Sequence, residues 1–180
     1  MNLRYASSVF LLVFGLIPPA NAISNNSWSN ISDATLGITV VGALGIPTIR
    51  GDWQGLGQAA LSDVVASGAS QLLKATIHEQ RPDHSDDKSF PSGHATLAFA
   101  SATTLNRRYG WEIGFPAYGF AALTGIARVA ARKHHWWDVG AGAALGSASG
   151  WYFTDALNDK VQLTPWVEGR SGGMLISGAW

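Results

Sequence analysis

Nearly all the chemistry-capable cations and imidazoles of this chain fall between positions 74 and 138, in three short clusters set among small and apolar residues. The clusters read Lys74-Ala-Thr-Ile-His-Glu-Gln-Arg81-Pro82, then Phe90-Pro91-Ser92-Gly93-His94, then Arg128-Val-Ala-Ala-Arg-Lys-His134-His135-Trp-Trp-Asp138. They supply three cations, a hydroxyl with a backbone turn, two separate imidazoles and a carboxylate placed to orient one of them. That is the inventory of a phosphoryl-transfer site that works without a metal. It functions only if the helices pack so that the clusters converge around a cavity the size of one tetrahedral oxyanion.

At 180 residues the chain suits one catalytic domain, over 23–180, and is short for two. Twelve acidic and twelve basic residues give no net charge, so no global field draws in nucleic acid, and anion binding must be local. With no cysteine there is no disulfide, thiolate metal site or thiol nucleophile. Residues 1–22 combine a head bearing Arg4, an apolar run over 9–17 and an Ala20-Asn21-Ala22 ending, which reads as a cleavable secretory leader. The run is well below the ~20 residues needed to cross a bilayer. The expectation is an exported, periplasmic protein.

Residues 23–33, rich in Asn and Ser, read as an irregular lead-in. An apolar helix is expected over 34–49, ending near Pro47. A long helix is expected over 55–81, stopped by Pro82. Seven residues separate Lys74 from Arg81, two turns, which would put both cations on one face. The loop 83–89 holds His84, Asp86 and Asp87, without a recognised metal-ligand spacing, and is expected to be solvated; no metal or other cofactor is predicted. Ser92 is placed as the N-cap of a helix over 95–105, and Gly93 lets backbone amides approach a ligand, so that helix start can hold phosphate oxygens. A further apolar segment covers 111–131. His134 and Asp138 stand four apart, so on a helical turn the carboxylate can fix one ring nitrogen and free the other to attack. His135, three from Asp138, could serve on spacing alone. Trp136 and Trp137 are expected to wall the pocket or an interface. Gly142, Gly146 and Gly150 form a stripe that allows close helix contact, and 161–180 reads as two extended runs around a Gly-rich turn, a terminal β-hairpin. The fold class is all-α, a compact helical bundle.

The clusters resemble the type 2 phosphatidic acid phosphatase superfamily, which also contains bacterial non-specific acid phosphatases and vanadium haloperoxidases. The matching positions are Lys74, Arg81, Pro82, Pro91, Ser92, Gly93, His94, Arg128, His134 and Asp138; Ala127 stands where the family has serine. The resemblance implies a bundle of that type in which His134 is the nucleophile, in preference to His135, with Asp138 orienting it and His94 as acid and base. Lys74, Arg81, Ser92, Gly93 and Arg128 would bind phosphate. It implies a phosphatase acting on a lipid phosphate or diphosphate, with small phosphomonoesters next, and a haloperoxidase or a non-catalytic envelope protein as readings of another class. A mean hydropathy of +0.10 and polar interruptions such as Gln58, Asp63 and Gln71 favour a soluble or membrane-associated domain over a polytopic one.

Overall fold

The computed structural model describes residues 23–159, 161–168 and 171–178, with side chains through residue 154. The leader-like stretch 1–22 lies outside the described residues. Five helices follow in order: α1 (Asn25–Arg50), α2 (Trp53–Thr76), α3 (Gly93–Tyr109), α4 (Trp111–Ala130) and α5 (Trp136–Asp159). Two strands, β1 (Val161–Glu168) and β2 (Ser171–Gly178), then pair antiparallel. α3 is the central helix; it packs on all four others and most extensively on α5 and α4.

Local chemistry sets the helix ends. The Ser24 side chain accepts from the Ser27 amide and caps α1, so the Asn- and Ser-rich stretch expected to be irregular is that helix's first turns. α1 also runs past Pro47 and stops one turn later at Gly51, whose φ of 67° suits glycine and whose amide satisfies the Pro47 and Thr48 carbonyls. α2 ends at Thr76 and not at Arg81. Beyond it the backbone pairs with the following loop: Glu79 N–H donates to the Asp87 carbonyl, Ser89 N–H to the Glu79 carbonyl and Arg81 N–H to the Asp86 carbonyl. Lys74 is therefore helical and Arg81 lies in a loop, so the shared helical face expected of them does not exist.

The interior inverts the usual distribution. Among the described residues its buried apolar side chains are alanines apart from Leu105, Val139, Pro47 and Pro91, and beside them lie Ser32, Thr39, Gln58, Ser62, Thr96 and Thr124. Larger apolar side chains face outward, Ile49 at 88% and Phe115 at 74% exposure, with Val41 and Leu72 similar. Buried hydroxyls bond between helices: Thr35 Oγ1 to Thr124 Oγ1 at 2.8 Å, and Ser101 Oγ to both oxygens of Asp63 at 3.0 Å. Small residues let backbones approach. A β-carbon at Gly142 would stand 2.6 Å from the Ser92 carbonyl oxygen, and one at Gly146 would overlap the Thr96 carbonyl. α3 and α5 thus meet backbone to backbone.

Side-chain contacts bring the starts of α1, α3 and α5 to the same end of the bundle as the finishes of α2 and α4. At the opposite end Asp52 accepts from Arg108 and Tyr109. Between the two ends the stretches 34–49, 95–106, 113–127 and 139–154 contain no charged residue.

Candidate active site

At the first end a cavity of about 300 Å³ is lined by Lys74, Arg81, Gly93, His94, Arg128 and His134, together with Ser67, Ser70, Gln71, Leu36 and Leu97. Six of the residues singled out from sequence therefore converge. Ser92 and Asp138 do not reach the cavity; both are fully buried behind it. The Ser92 hydroxyl instead caps α3, accepting from the Ala95 amide at 3.4 Å, and the Ser92 amide donates to the Asp138 carbonyl.

His134 sits before α5 begins, in the short link from α4, with its side chain 2% exposed. Its Nδ1 lies 2.8 Å from the Ser89 carbonyl oxygen, an acceptor only, so Nδ1 carries the proton and donates. Nε2 is thereby left with its lone pair, 3.4 Å from Arg81 Nη1 at the cavity wall. The direct hydrogen bond expected between His134 and Asp138 is absent, the two being 3.7 Å apart. The start of α5 competes for that carboxylate: Asp138 Oδ2 accepts from the His135 backbone amide at 2.7 Å, closing the helix N-terminus as a capping box does, and from Ser89 Oγ at 2.5 Å. Ser89 links the two residues, its carbonyl holding the imidazole and its hydroxyl the carboxylate. Sequence reasoning placed Ser89 in a solvated loop; its burial comes from a long-range contact that no local pattern signals.

The imidazole of His134 is held well below its ordinary pKa, to about 3. Burial away from water is the main cause, followed by the positive charges of Arg81, Arg128 and Lys74, with Asp138 opposing. His134 is therefore neutral, with a free nitrogen lone pair, at any pH near neutrality.

His135 faces elsewhere. Its ring stacks on Trp137 at 4.4 Å and contacts Glu79 and Asp138, so it does not line the cavity. Glu79, His135 and Asp138 bring metal-capable atoms within 4.8 Å of one another, with His135 Nδ1 3.2 Å from Glu79 Oε1 and 3.3 Å from Asp138 Oδ2. In the loop expected to be solvated, Asp86 accepts from Arg81 Nε at 2.6 Å and fixes that guanidinium, while Asp83 pairs with Lys133. The Lys133 and Arg81 partners hold both carboxyls below the usual range, through hydrogen bonding as well as charge.

The three cations are differently engaged. Lys74 Nζ donates to the carbonyls of Lys88, Ser89 and Pro91, pinning the loop over the cavity. Arg81 also donates to the Lys133 carbonyl at 3.2 Å. Arg128 is mostly buried, its Nε has no hydrogen-bond partner, and Asp33 stands 3.9 Å from Nη1. Ala127 is fully buried, and the cavity's hydroxyls come from Ser67 and Ser70, the latter buried and unpartnered. Ser70 lies one turn before Lys74 on α2, a spacing that could have marked it. A second cavity, about 410 Å³, shares Ser67 and Leu97 with the first and continues between α1 and α2 along Val40, Leu44, Ala60 and Val64, with Asp63 beside them.

Three cations and two imidazoles around one pocket define a helical-bundle protein built to hold a tetrahedral oxyanion. Residues 55–162 match the family model of the PAP2 superfamily, and the chain belongs to that superfamily. It is 32% identical over 127 residues to the lipid A 4'-phosphatase of Helicobacter pylori, covering 64% of this chain and 62% of that protein. It is 34% identical over 134 residues to the lipid A 1-phosphatase of Porphyromonas gingivalis, covering 68% and 29%. The chain thus spans less than two thirds of the length of these relatives. In fold it resembles the crystal structure of LpxE from Aquifex aeolicus, with a TM-score of 0.64 at 22% identity, over 82% of this chain and 93% of that one.

Proposed function

We propose that the protein is a membrane-embedded, metal-independent phosphatase of lipid phosphates that works through a phosphohistidine. The carrying observation is the pocket in which Lys74, Arg81 and Arg128 meet the unprotonated Nε2 of His134 and the ring of His94, beside an apolar groove. His134 Nε2 attacks phosphorus while the bond to the ester oxygen breaks, and His94 gives that oxygen its proton. The cations hold the equatorial oxygens, and the backbone at Gly93 lets them approach the start of α3. Water then attacks the phosphohistidine, His94 takes back a proton, and phosphate leaves with His134 neutral again.

The apolar exterior supports embedding. α1 and α4 are each long and apolar enough to cross a bilayer, charges gather at the two ends of the bundle, and hydroxyls lie inside. The groove along Val40, Leu44 and Val64 is suited to a substrate's hydrocarbon, and the lipid phosphatases among the relatives support that choice. The leader-like residues 1–22 support a periplasmic catalytic end.

The test is phosphate release by purified protein in detergent from a panel of lipid and soluble phosphate esters, with His134→Ala as control. Release from lipid phosphates, blocked by orthovanadate and indifferent to a chelator, is expected. Faster release from soluble esters would overturn the lipid assignment, full inhibition by chelator the metal-free mechanism, and no release from any ester the phosphatase reading.

A further inference from the structure

Asp33, on α1, lies upstream of the region that the family model matches, and the three sequence clusters do not include it. Its Oδ1 stands 2.9 Å from His94 Nε2. A carboxylate only accepts, so Nε2 carries a proton and donates to it. Nδ1 of His94 makes no hydrogen bond among the described residues. His94 lines the cavity and Asp33 does not, so the ring edge held by Asp33 faces α1 and Nδ1 is the nitrogen available to the substrate.

The contact is held from both sides. Two residues beyond Asp33, buried Thr35 is bonded to Thr124 at 2.8 Å, and Thr124 lies one turn before Arg128 on α4. That bond fixes the register of α1 against α4 and sets Asp33 3.9 Å from Arg128 Nη1 and within reach of His94. Asp33 is 61% exposed, so the chain does not need it as a core group.

We propose that Asp33 is a positioning residue for the leaving-group step: it anchors Nε2–H of His94, so that in the imidazolium it is Nδ1–H that passes its proton to the departing oxygen, leaving the neutral Nε2–H form whose Nδ1 then takes a proton from the attacking water. The proposal rests on the phosphatase reading and adds to it a partner for the acid. It also sets the two imidazoles in opposite tautomers, His134 protonated at Nδ1 by its bond to Ser89 and His94 at Nε2 by its bond to Asp33.

Two measurements test it. In the first, kcat/KM is compared for a long-chain alkyl phosphate and a long-chain nitrophenyl phosphate, both in micelles, with wild type, Asp33→Asn and Asp33→Glu. An alkoxide needs its proton far more than a nitrophenolate does. Asp33→Asn should therefore lose at least about ten times more on the alkyl ester than on the aryl ester, with Asp33→Glu recovering part of the difference. Equal losses on both esters, or none, would overturn the positioning role while leaving the phosphatase intact. A wild type inactive on both esters would overturn the phosphatase reading and the leaving-group role with it. In the second, imidazole nitrogen shifts of the labelled protein, followed upward in pH until the His94 ring has lost its Nδ1 proton, should show neutral His94 as the Nε2–H form and His134 as the Nδ1–H form. A neutral His94 protonated at Nδ1 would refute the anchoring whatever the activity.

Discussion

The Nδ1 of His134 donates to the Ser89 carbonyl at 2.8 Å, while the Asp138 carboxylate four residues on stands 3.7 Å away and takes the Ser89 hydroxyl. The tautomer of His134 is thus set by a backbone oxygen, and the carboxylate acts on it only through Ser89. Ser89→Ala keeps the carbonyl and removes the hydroxyl, taking a donor from a buried carboxylate whose other oxygen, Asp138 Oδ1, already has no hydrogen-bond partner. The expected result is destabilisation by about 1–3 kcal/mol and a clear fall in kcat. Thermal unfolding in detergent alongside phosphate-release kinetics would check it, and wild-type stability would show that the hydroxyl contributes nothing.

His134→Ala should abolish turnover, whereas His135→Ala should retain much of it, because the His135 ring is stacked on Trp137 outside the cavity. Phosphate release by the two purified variants decides it; an active His134→Ala protein would move the nucleophile elsewhere.

With a pKa near 3, the His134 ring of the free protein should stay neutral from pH 8 down to about pH 4. Its NMR resonances should show no titration step in that interval. The sign for stability follows from linkage. In the unfolded chain an ordinary histidine takes up a proton as pH falls through about 6.5, while the folded one does so only near 3, so acidification across that window favours unfolding. Over the same window His134→Asn, which removes the titrating group, should lose less stability than wild type, as read by unfolding midpoints.

Gly146→Ala would drive a methyl into the Thr96 carbonyl and close to the Ala100 amide, and Gly119→Ala, on an exposed turn of α4, would meet nothing within 4 Å. The first should cost several kcal/mol, with loss of activity; the second should be neutral or stabilising by up to about 1 kcal/mol. Equal melting behaviour of the two variants would contradict backbone contact between α3 and α5.

How much of this was legible in sequence depends on the range of the interaction. The convergence of Lys74, Arg81, Gly93, His94, Arg128 and His134 was, because motif residues at helix ends carry their signal locally. The cap at Ser92 was as well, its hydroxyl accepting from the Ala95 amide. Ser89 and Asp33 were not, since each depends on a partner brought in by packing from another element, and Ser70 was marked only by its one-turn spacing from Lys74. Arg81 was misplaced because the backbone at 79–81 pairs with the loop at 86–89, a contact from outside the helical pattern, instead of continuing the helix. Two of the polar interruptions that weighed against a membrane protein, Gln58 and Asp63, are buried, and hydropathy averaged along a helix does not separate its faces.

Rotamer changes cannot widen a seam made of main chain against main chain. His94 in the first turn of α3 and His134 just before α5 flank that seam, so their separation is set by close main-chain packing and not by side-chain rotamers. Whatever admits a substrate must therefore come from parts fastened by side chains: α1, or the loop latched down by Lys74.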